Sequence, residues 1–142
     1  MSEKSAKVKI SPAQASLAAL FVAQKLAAAN DADLVAFIVA QPALAENAAM
    51  RDNAAELAHD ITNAEQGFDT LLDLLADSFT PAQADTAYLL CADFIARYGR
   101  VSPEEMRFLE RLGAALKIDR LTRAAFDRAA QARAADLSDA ND

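Results

Sequence analysis

Four acidic residues recur at every fourth position in one segment of the chain, Glu65, Asp69, Asp73 and Asp77. On a helix this spacing places like charges on one face, where each neighbouring pair costs about a few tenths of a kcal/mol. Such a row could dock a basic partner or gather cations. It is also what a solvated helix face looks like opposite an apolar stripe such as Phe68, Leu72 and Leu75, and this ordinary amphipathic pattern favours the solvated interpretation.

A set of basic residues, Arg97, Arg100, Arg107 and Arg111, surrounds a turn centred on Gly99. These guanidinium groups could bind an anion or the acidic row of another copy of the chain. Glu104 and Glu110 lie among them and neutralise part of the charge, which again favours a solvated surface. The residues predicted for partner binding are Glu65, Asp69, Asp73, Asp77, Arg100, Arg107 and Arg111.

The single histidine and the single cysteine do not form a recognisable catalytic or zinc-binding pattern. His59 stands without soft ligands nearby, so we interpret it as a surface or structural residue. Cys91 falls on the apolar face of a predicted helix, which favours packing over nucleophilic use. The sequence contains no Ser/His/Asp pattern, phosphate-binding loop or dinucleotide fingerprint. We therefore expect a protein that is not an enzyme, with no cofactor and no catalytic residue.

The sequence contains three similar motifs that are typical of helix N-termini: Ser11-Pro12-Ala13-Gln14, Thr80-Pro81-Ala82-Gln83 and Ser102-Pro103-Glu104-Glu105. Each fits a capping box, in which the hydroxyl accepts the N3 amide and the N3 side chain reaches back to the N-cap amide. Proline at N1 costs nothing, because that amide has no partner within the helix. We expect Gly99 to end the helix that begins at Pro81 by adopting a left-handed conformation.

Apolar periodicity predicts a single all-α domain over 1–142, a compact bundle of about seven helices. The helices are expected from Ser11 to about Ala29, from Leu34 to Ala40, from about Ala43 to Ala64, over the 68–79 stripe, from Pro81 to Tyr98, from Pro103 to Leu116 and from Arg120 to about Ala135. Residues 1–10 and 137–142 are expected to be flexible. The predicted inner rows are Leu57, Ala58 and Ile61; Tyr88, Cys91, Ile95 and Tyr98; Met106, Leu109, Leu112 and Leu116; and Leu121, Ala125 and Ala129.

The first two of these three cap segments also suggest an internal duplication. Sliding the sequence by 69 residues places Ser11-Pro12-Ala13-Gln14 on Thr80-Pro81-Ala82-Gln83 and matches several alanines beyond it. The same offset places Asn30 on Gly99 and Asp33 on Ser102. Alanine-rich helices match easily by chance, but a shared distance from cap to helix break does not, so we predict two pseudo-repeated helical halves.

Charge is unevenly distributed along the 142 residues. The formal net charge is −7, and residues 31–96 alone carry −11, with twelve acids against Arg51. An acidic middle of this kind repels nucleic acid, so we expect no nucleic-acid partner. The N-terminal residues lack the apolar core of a secretory signal, and no stretch is apolar enough to span a membrane. With one cysteine among 142 residues, these features favour a cytoplasmic protein.

The segment from Asp85 to Leu121 resembles the C-terminal half of TerB-like tellurite-resistance proteins. The matching positions are Asp93, Gly99, Val101, Glu105, Leu109 and the run Ile118-Asp119-Arg120-Leu121. The resemblance implies an all-α fold of two related halves and a role in stress or metal resistance. It also implies divalent-metal binding by acidic residues at the helix turns, which here would be Asp93 and Glu105.

Two departures from that family pattern bear on the metal. Tyr98 stands where the family has an aspartate before the glycine, and the corresponding turn of the first half has no glutamate three residues after its cap. Because hard cations need several converging oxygens, we expect no Ca²⁺ or Mg²⁺ binding tighter than millimolar at this turn. Two hypotheses remain: a stress or metal-resistance module that binds a protein partner, with a second copy of itself among the candidates, and a divalent-cation sensor or buffer.

Overall fold

The computed structural model describes residues 10–44, 56, 59–60 and 67–137. Within them the chain forms six α-helices and no strand, which confirms the all-α prediction. The helices are α1 (Pro12–Ala27), α2 (Asp31–Ala40), α3 (Gly67–Ala76), α4 (Pro81–Tyr98), α5 (Pro103–Ala115) and α6 (Arg120–Ala134). Most of the helix expected over 43–64, including its inner row, lies outside the described residues, as do residues 1–9 and 138–142.

All three predicted capping boxes are present, at the starts of α1, α4 and α5. In α4, for example, the Gln83 amide donates to Thr80 Oγ1 at 3.2 Å and the Thr80 amide donates to Gln83 Oε1 at 2.9 Å. Asp119 caps α6 as predicted, accepting from the Thr122 amide at 2.9 Å. These caps fix where the helices start, and hence how long each interhelical turn is.

Helix α4 is the centre of the bundle and packs most extensively against α1 and α6. Its side chains Phe94 and Ile95 are fully buried, and so are Leu17 and Leu20 of α1. Each buried side chain of this size stabilises the fold by about 1.5–3 kcal/mol relative to an exposed one. Helix α1 also buries a run of small residues that lets its backbone approach α4 closely: Ala15, Ala18, Ala19 and Ala23.

The predicted start of α2 is wrong by three residues. Asn30 caps this helix by accepting from the Asp33 amide at 2.8 Å, so α2 begins at Asp31 and not at Leu34. The 69-residue offset had placed Asp33 opposite the cap Ser102, whereas the residue that caps is Asn30. An asparagine two residues after a left-handed Ala28 is an effective N-cap, and its short side chain outcompeted the later aspartate.

The predicted conformation of Gly99 is also wrong. Its φ of −88° and ψ of −176° are extended, and the left-handed residue of this turn is Val101, with φ 54°. Glycine is required for space: a Cβ on Gly99 would overlap the carboxylate of Glu105 and lie 2.7 Å from the carbonyl oxygen of Ile95.

Two of the predicted inner rows need correction. On α5, Leu109, Leu112 and Leu116 are buried as predicted, but Met106 is 38% exposed. On α6 two of the three residues of the row are wrong: Leu121 is 83% exposed and Ala125 is exposed, whereas Ala129 is half-buried. The inward residues of α6 are Phe126 and Ala130, one position further on, because α6 carries few large apolar side chains and its rotation follows polar contacts with α4.

Most residues of the remaining predicted apolar stripes are buried or half-buried, as expected. Tyr88, Cys91 and Ile95 of α4 are buried, and Tyr98 is half-buried. The α3 stripe buries its leucines and half-buries Phe68 and Phe79. None of the helices in the described ranges is long and apolar enough to cross a membrane.

Candidate functional site

Glu105 holds the turn between α4 and α5 together from the inside. Although it is a carboxylate, it is only 1% exposed. Its Oε1 accepts from the Ser102 amide at 2.6 Å and from the Arg100 amide at 3.1 Å. Its Oε2 is buried against Gly99 and has no hydrogen-bond partner among the described residues. Glu105 therefore positions the backbone of residues 100–102.

Asp93, the other residue implied as a metal ligand, is engaged on a different side of α4. Its Oδ1 accepts from Nε and Nη2 of Arg133 on α6, at 3.0 and 2.8 Å. In the described ranges no three His, Cys, Asp or Glu side chains come together as a metal-binding group. Because one carboxylate is held by a guanidinium and the other by backbone amides, the pair does not fit a Ca²⁺ or Mg²⁺ site, which needs several converging oxygens.

Part of the predicted partner-binding set is used within the molecule. Asp69 of α3 pairs with Arg111 of α5, and the Arg111 guanidinium lies 4.5 Å from the centre of the Phe68 ring. Asp73 of α3 is exposed, and so is Asp77 in the turn that follows this helix. Glu65 lies outside the described residues. Arg111 thus ties α5 to α3 by an ion pair with Asp69 and a cation–π contact with Phe68.

The four arginines around the turn separate into different environments. Arg97 is exposed beside Asp93 and Arg133, and Arg100 is exposed with its amide bound to Glu105. Arg107 is exposed at a cleft between α5 and α6. The predicted cluster is therefore not one anion site, but Arg107 does lie next to two further arginines that the sequence pattern did not single out, Arg120 and Arg123.

The cleft between α5 and α6, here called the α5–α6 groove, has two parts that share Met106, Leu109 and Asp127. The first, the arginine cavity, has a volume of about 480 Å³ and is lined by Tyr88, Arg107, Glu110, Arg120 and Arg123. The second, the apolar cavity, has a volume of about 300 Å³ and is lined mainly by Ala92, Ile95, Val101 and Ala130, with Arg128 at its edge.

A part-buried polar contact lines the arginine cavity, and one of its two residues, Asp127, also lines the apolar cavity. The Tyr88 hydroxyl donates to Asp127 Oδ1 at 2.7 Å, joining α4 to α6. Burial, then the hydrogen bond to Asp127, raises the pKa of Tyr88 well above its usual value, so the phenol stays a donor at neutral pH. These two residues are 39 positions apart, and no local spacing in the sequence relates them.

The single cysteine and the histidine lie away from this groove. Cys91 is fully buried, and burial raises the pKa of its thiol to about 12, so it remains a protonated packing group at neutral pH. His59 is exposed and borders a separate cavity of about 670 Å³ beside Phe21 and Phe68. The structure thus places Cys91 where the sequence predicted it, in the core.

Together these observations define an all-α helical domain in which an arginine-lined cavity and an apolar cavity lie side by side in the α5–α6 groove. No family model, curated protein or solved structure matches the chain.

Proposed function

We propose that this protein is a TerB-like module of the cytoplasm that acts in stress or metal resistance by binding a protein partner, either another protein or a second copy of itself, without catalysing a reaction. The proposal is supported by the resemblance of residues 85–121 and by the presence of two helix–turn–helix units, α1–α2 and α4–α5, each opened by a capping box. We further propose that these units are the two halves of a duplicated fold, with turns that differ in length.

The main observation in favour of partner binding is that Val101 is exposed and lines the apolar cavity. Val101 has a φ of 54°, a conformation that β-branched residues rarely adopt and that costs about 1–2 kcal/mol. Its side chain is 46% exposed, next to the 38% exposed Met106. Strained backbone conformations cluster at functional sites, and contiguous apolar surface marks interaction sites, so we assign this pair as the centre of the docking surface.

The charges around this pair indicate what kind of partner fits. The floor of the apolar cavity consists of small and aliphatic side chains, while Arg107, Arg120 and Arg128 stand along its rim and that of the adjoining cavity. Apolar anchors inside a rim of charge are typical of protein interfaces, and the rim sets orientation and association rate. The surface therefore suits a segment with apolar anchors and acidic flanks.

The cation-sensor hypothesis requires a larger rearrangement. Asp93 would have to exchange the Arg133 guanidinium for an ion, and Glu105 would have to release the amides of Arg100 and Ser102. Each exchange breaks a charge-assisted hydrogen bond, worth about 1.5–3 kcal/mol. Partner binding at the α5–α6 groove needs neither change.

Substitution of Val101 by asparagine tests the proposal. Asparagine tolerates a left-handed backbone, so Val101→Asn should keep or raise the melting temperature while removing the apolar contact. We expect proteins retained from a cell extract by the unchanged chain, or its self-association measured by sedimentation, to be lost with this variant. Val39→Asn, which alters a 58% exposed valine of α2, is the matched control and should retain them. Equal retention by both variants would contradict the proposal.

A further inference from the structure

The arginine cavity concentrates positive charge on an acidic protein. Three guanidinium groups, from Arg107, Arg120 and Arg123, line a space of about 480 Å³ between α5 and α6. Two carboxylates also border it, Glu110 and Asp127. The molecule carries −7 overall, so a local excess of cations around one concave space is a property of this cleft and not of the surface in general.

The two carboxylates do not neutralise the arginines equally. Asp127 is half-buried and accepts a hydrogen bond from the Tyr88 hydroxyl at 2.7 Å, so part of its charge is stabilised by that donor. Glu110 is exposed at the rim, and its backbone carbonyl, not its carboxylate, accepts from Arg123 Nη1 at 3.0 Å. Arg107 and Arg120 are both exposed, so their donor groups are accessible to a ligand entering from solvent.

Arg123 is held in place with an unused donor. Its side chain lies directly over Gly113 of α5, where a Cβ would overlap Arg123 Cδ, so a glycine is what lets the guanidinium reach across. Its Nε is buried and has no acceptor among the described residues. A buried N–H without an acceptor costs about 1–3 kcal/mol, so a rotation of Arg123 that turns this N–H from Gly113 towards an oxyanion in the cavity would recover that cost.

From this arrangement we propose that the arginine cavity binds a phosphoryl group, either as free phosphate or carried on a small molecule. Three guanidiniums match the charge of a dianionic phosphate better than that of a single carboxylate, and the planar guanidinium fork matches its oxygens. The volume is within the range of small-molecule sites. This site adjoins the proposed docking surface and shares Met106 with it, but the proposal does not depend on a partner, because phosphate binding is measured with the isolated protein.

Calorimetric titration of the full chain with sodium phosphate, at neutral pH and constant ionic strength, tests the proposal. We expect saturable binding of one phosphate with a Kd below about 1 mM. Arg123→Lys keeps the charge but loses the Nε donor, and should weaken binding about tenfold, as expected for one charge-assisted hydrogen bond. The paired variant, which carries Arg107→Gln and Arg120→Gln together, alters only exposed side chains and should leave the fold intact. It should weaken phosphate binding at least as much as Arg123→Lys does.

Arg97→Gln is the matched control, because it removes one positive charge from an exposed site away from the cavity. It should bind phosphate as the unchanged protein does. Binding of O-phospho-L-serine as well as phosphate would assign the site to phosphoryl groups on larger molecules, and binding of phosphate alone would assign it to the free ion. The proposal is overturned by non-saturable heats, by equal losses in Arg97→Gln and the paired variant, or by acetate binding as tightly as phosphate.

Discussion

At the scale of single residues, Gly99 and Glu105 show how a helix break can be set by a neighbour's carboxylate and not by backbone handedness. Gly99 is extended, and its missing Cβ is the space that the Glu105 carboxylate fills. We expect Gly99→Ala to destabilise the protein by about 1–3 kcal/mol, because it displaces a buried acceptor from two backbone amides. Urea unfolding measures this.

The cause is tested with a double-mutant cycle. If the overlap with Glu105 is the source of the cost, Gly99→Ala should cost much less in a Glu105→Ala background. Equal costs in both backgrounds would place the strain elsewhere, for example at the carbonyl oxygen of Ile95, which is also close to the added Cβ.

Val101, unlike Gly99, does adopt the left-handed backbone conformation, although its side chain makes that conformation unfavourable. A β-branched side chain at φ 54° is costly, whereas glycine adopts this region freely. We expect Val101→Gly to raise the free energy of unfolding by up to about 1 kcal/mol, since relief of strain exceeds the entropy that glycine adds to the unfolded chain. Thermal melting compares this variant with Ala96→Gly inside α4, which should destabilise instead.

At the scale of elements, the loss of stability when a leucine is replaced by alanine depends on whether that leucine lies on the buried or the exposed face of its helix. Leu109 of α5 is 4% exposed and Leu121 of α6 is 83% exposed, although sequence periodicity placed both inward. We expect Leu109→Ala to cost about 2–5 kcal/mol and Leu121→Ala less than about 0.5 kcal/mol. Chemical denaturation of the two variants measures the difference, and similar midpoints would mean that the rotation of α6 is wrong.

The N-terminus of α6 should be sensitive to acid. Hydrogen bonds from the backbone and then the side chain of Thr122 hold the pKa of Asp119 below its usual value. A depressed pKa in the folded state means that this stabilisation is present above the unfolded pKa, near 4, and is lost as the pH falls through the folded value. Asp119→Asn keeps a capping side chain, so its melting temperature should fall less than that of the unchanged protein over the same acidic range.

Local signals in the sequence predicted the helices, but not how they face one another. A capping box joins residues three positions apart, so the starts at Ser11, Thr80 and Ser102 could be read directly. The orientation of α6 depends instead on contacts with α4 across about 40 residues, Tyr88 with Asp127 and Asp93 with Arg133. Periodicity is weak in an alanine- and arginine-rich helix, and it gave the wrong row by one residue.

The same distinction explains what was and was not predicted of the α5–α6 groove. Arg107 was noticed because it lies near other arginines in sequence. Arg123 was missed, since its role depends on the bare surface of Gly113 on another helix. Asp93 and Glu105 were singled out together by resemblance, and the structure places them against different partners. Proximity in sequence is a weak guide wherever a site is assembled from three helices.

At the scale of the whole molecule, the uneven charge sets the response to cations. With −7 overall and −11 within residues 31–96, divalent ions will accumulate diffusely near the acidic face of α3. Asp93 is bound to Arg133 and Glu105 to backbone amides, so these two carboxylates do not offer the converging oxygens that replace the water around an ion. We expect Mg²⁺ and Ca²⁺ to raise the melting temperature only as much as NaCl does at equal ionic strength, because screening is the shared cause.

Calorimetric titration with either ion should accordingly give weak, non-saturating heats below millimolar concentrations. Saturable micromolar binding that Asp93→Asn abolishes, with Asp73→Asn on α3 as the charge-matched control that retains it, would show that Asp93 leaves Arg133 for an ion and would favour the cation-sensor hypothesis.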